Sequence, residues 1–210
     1  ASELRAILAS GRVDRKVDPK ALLDFLAVGA VSQPRTIIAN VKTLPAGHWL
    51  EIRGKERKLV KYWDLHEDTE VLRKELKDIS FEDATLKVKS LLLDAARYNM
   101  VADVNVGAFL SGGIDSTAVV GLMGEASGRK IQTYSVGFED EHRAIDERHY
   151  ARIAAKHLNC NLEEIVVTKK EASNLFSQLI KDIDQPSIDG TNTWIVSRSA
   201  SQSVKVAVSG

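Results

Sequence analysis

Cysteine is almost missing from this 210-residue chain: Cys160 is the single example. One thiol closes no internal disulfide and has no cysteine partner for a zinc site, so the composition fits a reducing, cytoplasmic setting. Charge of one sign is also lacking. Lys and Arg number 29, Asp and Glu number 29, and the net charge is zero. General nucleic-acid and membrane-surface binders usually carry a basic excess, so neither partner is expected. No apolar run approaches the ~20 residues that span a bilayer. The opening Ala-Ser-Glu-Leu-Arg does not read as a signal peptide. There is no internal repeat, no low-complexity tract and no initiator Met. With an end at Val-Ser-Gly, directly after an apolar run, the chain is expected to be a piece of a longer protein.

What is present is an ordinary globular mixture, 44% hydrophobic and 28% charged. A chain of this length buries roughly 70% of its unfolded surface, enough for one large domain or two small ones. Two textures divide it. In residues 1–80, Asp18-Pro19 reads as an N-cap followed by Pro at the first helical position. Leu22, Leu23, Leu26 and Ala27 then form an apolar stripe that Gly29 closes. The runs 48–52 and 59–63 flank a charged link, Arg53 to Lys58, which predicts a β-hairpin. Residues 66–80 lack an apolar period and read as a linker with some helix.

From Phe81 the pattern is regular. Helices are expected near 82–98, 116–126, 146–158, 170–183 and 191–202. Strands are expected near 104–110, 131–136, 162–167 and 204–208. Strands alternating with helices give an α/β fold, a doubly wound parallel sheet. The expected division is therefore 1–80 and 81–210.

The chemistry concentrates in Ser111-Gly112-Gly113-Ile114-Asp115-Ser116-Thr117, between an apolar strand and a helix. In a parallel sheet that is the strand's C-terminal edge, where ligands bind. Paired glycines let the backbone approach a charged group closely. The helix that follows offers unpaired N–H groups and a positive dipole end, and the hydroxyls add donors. The combination predicts a nest for phosphate oxygens. It differs from Gly-x-x-x-x-Gly-Lys-[ST], because no Lys follows Gly113. An acid, Asp115, sits inside the loop instead. A carboxylate beside phosphates is repulsive unless a cation lies between them, so Asp115 implies Mg²⁺ on phosphate oxygens. A simple capped turn would need one such residue and not the whole cluster.

Ser-Gly-Gly-Ile-Asp-Ser after an apolar strand resembles the PP-loop of the ATP pyrophosphatases, which cleave ATP between its α and β phosphates. Within that superfamily the chain resembles glutamine-dependent asparagine synthetases along nearly its whole length. Residues 1–8 look like the tail of that family's glutaminase domain. Pro34-Arg35-Thr36-Ile37, Leu44-Pro45-Ala46-Gly47-His48 and Tyr62-Trp63-Asp64-Leu65 look like its connecting segment. Val106 to Ser116 is the most specific match. Tyr134 to Phe138, Asp146-Glu147, Asp184 to Ser197 and Val206 to Gly210 fit as well.

The resemblance implies ATP and Mg²⁺, with aspartate and glutamine-derived ammonia as the other substrates. Leu110 and Val136 would hold the adenosine moiety, mainly by backbone, and Gly137 would belong to the cofactor site. Ser111, Gly112, Gly113, Ile114, Asp115 and Ser116 would hold the pyrophosphate. Asp115 would bind the metal, Asp115 and Ser116 would act in catalysis, and Ser209 and Gly210 would touch the nucleotide from the other side. Homodimerisation stays open. Three features depart from the family pattern. The glutaminase nucleophile has no match, the Gly-rich acidic continuation of the second loop is missing, and Ile188 to Trp194 differs from the commonest version. The piece by itself is therefore expected to be inactive, and its hairpin region to expose apolar surface. The alternatives are another PP-loop ligase, β-lactam synthetase-like or tRNA-modifying, and a catalytically inactive nucleotide-binding module.

The remaining residues read more plainly. Cys160 is expected to be a partly buried thiol. The five histidines show no metal-ligand spacing. Residues 139–143 are a solvated loop with a lid as the functional alternative. Trp49, Trp63 and Trp194 are expected to anchor packing.

Overall fold

The computed structural model describes residues 1–139 and 147–210. The chain divides into two compact units, Ala1–Ser80 with Ile183–Gly190, and Phe81–Asp182 with Thr191–Gly210.

The first unit opens with α1 (Leu4–Ala9) and α2 (Pro19–Val28). Asp18 caps α2, accepting from the Lys20 N–H at 2.8 Å, and Gly29 ends it in the left-handed region at φ 77°. The expected apolar stripe is solvent-facing here: Leu23 is 66% exposed and Leu26 72%, while Ala21 is the buried residue of the helix. Strands β1 (His48–Arg53) and β2 (Glu56–Lys61) form the expected antiparallel hairpin. The reversal is tighter than the six-residue link read from the sequence. Arg53 pairs with Glu56, and Gly54 at φ 62° lets the chain turn within two residues. Trp49 and Trp63 are exposed and do not anchor a core in this unit.

The linker expected at 66–80 is largely a helix, α3 (Leu65–Glu75). It has no buried residue, so its stability is local. Asp64 caps it through the N–H groups of His66 and Glu67. Acids fill its first turn and Arg73 and Lys74 its last, which suits the helix dipole.

The second unit runs α4 (Phe81–Asn99), β3 (Val106–Phe109), α5 (Ile114–Ser127), β4 (Gln132–Phe138), α6 (Arg148–Leu158), β5 (Asn161–Val167), α7 (Lys169–Asp182), α8 (Gly190–Ala200) and β6 (Val206–Val208). The four strands are parallel, in the order β5-β4-β3-β6. Successive residues of β3 serve opposite faces. Ala108 and Leu110 join Ala96 of α4, Val120 and Met123 of α5, and Ala151, Ala154 and Ala155 of α6 in one core. Phe109 packs into a second core, made by Tyr134 of β4 with Val196 and Ala200 of α8. Helices thus cover both faces, as a doubly wound sheet requires. Cys160 is half-buried against the first core, and its Sγ lies 3.6 Å from Thr133 Oγ1. Among the described residues, no helix is long and apolar enough to cross a membrane.

Candidate functional site

The chain order β3, β4, β5 grows to one side of β3, and β6 then returns to its other side. Ligands in such sheets bind outside the strands' carboxyl ends, where the order reverses. The structure brings two segments together there, the Ser111–Ser116 loop after β3 and Ser209-Gly210 after β6. A methyl group added at Gly210 would lie 2.7 Å from both the N and the Cα of Ser116. The second loop therefore rests on the first turn of α5.

The loop is held from within. Ser116 is buried, and its Oγ accepts from the Ser111 N–H at 3.3 Å, pairs with Ser111 Oγ at 3.0 Å and donates to the Gly113 carbonyl at 3.3 Å. Gly113 N–H donates back to Ser111 Oγ. Ser116 thus spends its hydroxyl on shaping the loop.

The two glycines have different reasons to be glycine. Gly112 adopts φ 86°, and a methyl there would sit 2.5 Å from the backbone nitrogen of Ala151 in α6. A helix backbone occupies that side, so Gly112 serves close packing as well as loop shape. Gly113 has an ordinary φ of −67°. A methyl on it would meet one atom, Ser111 Oγ at 3.3 Å, so this glycine presents its backbone to open space. Ile114 is 89% exposed, and Asp115 is exposed in the first turn of α5.

A cleft of about 240 Å³ opens beside the loop. Of the residues expected at the site, Leu110, Ser111, Val136 and Ser209 line it. Gly112, Gly113, Ile114, Asp115, Ser116 and Gly210 belong to the adjoining loop instead. Gly137 has another duty. A methyl there would collide with the Arg148 side chain, lying 2.9 Å from its Cγ and closer still to Cδ and Nε. Arg148 is itself buried at the start of α6.

Glu147, Asn192 and Thr193 line the same cleft; they fell within stretches that fit the family pattern but were not expected as site residues. The signal for the last two was present in α8: they stand four and three residues before the buried Val196, on one helix face. The acidic lid expected at 139–143 lies beyond Glu139 outside the described residues, as does Asp146.

Among the described residues, no group of three or more His, Cys, Asp or Glu is placed to hold a metal. That is compatible with magnesium, which takes one or two carboxylates and fills its remaining positions with water and phosphate oxygens. Asp115, exposed beside the Ser111–Ser116 loop, fits that donor set.

Residues 87–210 match the asparagine synthase family, and residues 1–63 match the glutamine amidotransferase domain. The chain is 32% identical over 216 residues to a Methanocaldococcus jannaschii protein provisionally named glutamine-hydrolysing asparagine synthetase 2, covering 100% of this chain and 40% of that protein. It is 28% identical over 214 residues to the glutamine-hydrolysing asparagine synthetase 1 of Bacillus subtilis, covering 100% of this chain and 32% of that one. It therefore spans well under half the length of these curated relatives. Among solved structures, an NH3-dependent NAD synthetase from Campylobacter jejuni aligns with a TM-score of 0.39 and 18% identity, covering 56% of this chain and 49% of that chain.

Proposed function

The chain belongs to the asparagine synthase family, and from that premise we propose that it supplies the nucleotide-binding part of an enzyme that makes an amide with ATP. The observation that carries the reading is the meeting of Ser111–Ser116 and Ser209-Gly210 at the reversal of strand order. In the proposed reaction a side-chain carboxylate of aspartate attacks the α-phosphorus of ATP and pyrophosphate leaves. Ammonia from glutamine then attacks the acyl carbon of the adenylate, and AMP leaves with the bonding electrons.

Each residue's part follows from its place. Leu110 and Val136 line the cleft and form its apolar wall for the adenosine moiety. The cleft volume lies below the roughly 300–1,000 Å³ of pockets that enclose drug-sized ligands. It therefore takes base and sugar, leaving the phosphates on the open loop. There the N-terminal turn of α5 offers N–H groups to charge that builds on the departing pyrophosphate. Ile114 contributes through its backbone, since its side chain faces solvent. Ser116 is a positioning residue, because its hydroxyl closes the loop. Gly137 contributes by making room for Arg148. Magnesium, when bound at Asp115, supplies positive charge to the phosphate oxygens.

The test is Asp115→Asn in the complete natural protein. A ligand that acts mainly as pyrophosphate leaves affects the transition state more than binding. Pyrophosphate release is expected to fall by about 100-fold or more, with ATP affinity changed far less. Release within a few-fold of wild type overturns the metal assignment. Aspartate as acceptor is tested in the same assay against a panel of carboxylic acids. The unusual Ile188 to Trp194 segment favours a second reading, an amide-forming enzyme with a different acid, and pyrophosphate release driven by another acid in that panel establishes it.

A further inference from the structure

The second unit's core uses one side of α4. Ala96 is buried in that core, and Lys89 reaches Glu125 of α5. The opposite side of the helix is apolar too. Phe81, Ala84, Val88, Leu91, Ala95 and Tyr98 follow one another at alternating steps of three and four residues. That is the spacing of the a and d positions of a coiled coil. Phe81 is 90% exposed, Val88 55%, Leu91 60% and Tyr98 80%, and Ala95 is exposed as well. A contiguous exposed apolar face of this kind marks an interaction surface.

We propose that this face pairs with the same face of a second copy of the chain, antiparallel, across a twofold axis. Two features of α4 single out that occupant. The first is size. With the axis between Val88 and Leu91, Val88 meets the copy's Leu91, Ala84 meets its Ala95 and Phe81 meets its Tyr98. Each layer then occurs twice, as a twofold contact requires. Branched side chains fill the centre, alanines let the helices close, and an aromatic pair seals each end. The second feature is charge. Lys87 and Asp94 occupy the g positions beside the seam, while Thr85, Leu92 and Asn99 occupy the e positions. Charges at these flanks set partner and orientation. An antiparallel pair sets g against g, so Lys87 meets the copy's Asp94 on both sides of the axis. A parallel pair would set Lys87 against Leu92 and Asp94 against Asn99, leaving both charges without a counterion. Asp94 can take the second partner, because Arg97 holds its Oδ1 at 2.9 Å and Oδ2 can accept from the lysine. A contact between two helices of 19 residues lies at the small end of specific interfaces, so a dimer of micromolar affinity is expected.

The experiment is sedimentation equilibrium of the complete natural protein across the micromolar range. Wild type is expected to dimerise. Leu91→Lys puts a charge into both central layers and is expected to raise the dissociation constant about 100-fold or more. Leu91 is more than half exposed and lysine is a good helix former, so the fold is retained, which circular dichroism checks. Lys87→Asp and Asp94→Lys each set like charges together and are expected to weaken the dimer about tenfold. The variant carrying both substitutions is expected to recover wild-type affinity. A wild type that stays monomeric, with another segment or another protein on this face, overturns the proposal. So does a dimer that Leu91→Lys leaves intact. A dimer that Leu91→Lys breaks but the double charge variant does not restore overturns the antiparallel pairing.

Discussion

Gly112 and Gly113 are neighbours with the same side chain and unrelated constraints. At Gly112 the backbone is left-handed and α6 occupies the place of a Cβ. Gly112→Ala is therefore expected to lose at least about 2 kcal/mol of stability, from strain and steric displacement together. At Gly113 the backbone is ordinary and the space beyond is open. Gly113→Ala is expected to cost less than about 1 kcal/mol, while Gly113→Val is expected to block the approach of phosphate at the proposed site. Chemical denaturation of both alanine variants, followed by Mg-ATP calorimetry on Gly113→Val, checks the pair. Equal destabilisation by the two alanines, or unchanged affinity in the valine variant, contradicts the division. Gly137 belongs with Gly112, since it too yields its space to protein, the Arg148 side chain.

The element most dependent on local chemistry is α3, which buries no residue. Its cap is a titratable group. The Glu67 N–H donating to Asp64, with support from the His66 N–H and Lys61, lowers the Asp64 carboxyl below its ordinary value of 3.8. A depressed pKa in the folded state means that the carboxylate's stabilisation is complete above the unfolded value and is lost as the pH falls through the folded one. Helix α3 is thus expected to fray on acidification below that range, read as faster hydrogen exchange at the His66 and Glu67 amides. Asp64→Asn retains an acceptor oxygen and is expected to remove the cap's share of this acid dependence. An acid response at these two amides identical in both proteins contradicts the cap's role. The same logic applies to Asp24, which the Arg35 guanidinium holds below its ordinary value.

At the scale of the whole chain, eight residues late in the sequence belong to its first unit. Asp184 accepts the Leu4 N–H at 2.8 Å and the Arg5 N–H at 3.1 Å, capping α1 from 180 residues away. Gln185 Oε1 accepts the Ile37 N–H, and the Ile188 N–H donates to the Gly29 carbonyl. Gly29 is a glycine for this reason as well, because a methyl there would lie 2.5 Å from Ile188 Cδ1. Glu3 gives α1 no side-chain cap. Asp184→Ala is therefore expected to release α1, with a loss of about 1 kcal/mol and faster amide exchange at Leu4 and Arg5. Unchanged exchange there contradicts the assignment.

The sequence by itself determined the alternation of strands and helices after Phe81, the caps at Asp18 and Gly29, the hairpin and the loop at Ser111–Ser116. Each of these is written in neighbouring residues, through apolar period, glycine placement and capping chemistry. It marked only some helix at 66–80, where α3 forms, because a helix with few apolar residues and none buried leaves a weak periodic mark. Nor did it show that Asn192 and Thr193 share a cleft with Leu110 and Ser209, or that Asp184 to Ile188 hold the first unit. Those are contacts between segments far apart in the chain. The cleft follows from strand order and helix rotation, which the packing of the two cores on the sheet decided, and the Asp184 to Ile188 contacts follow from that segment's return to the first unit.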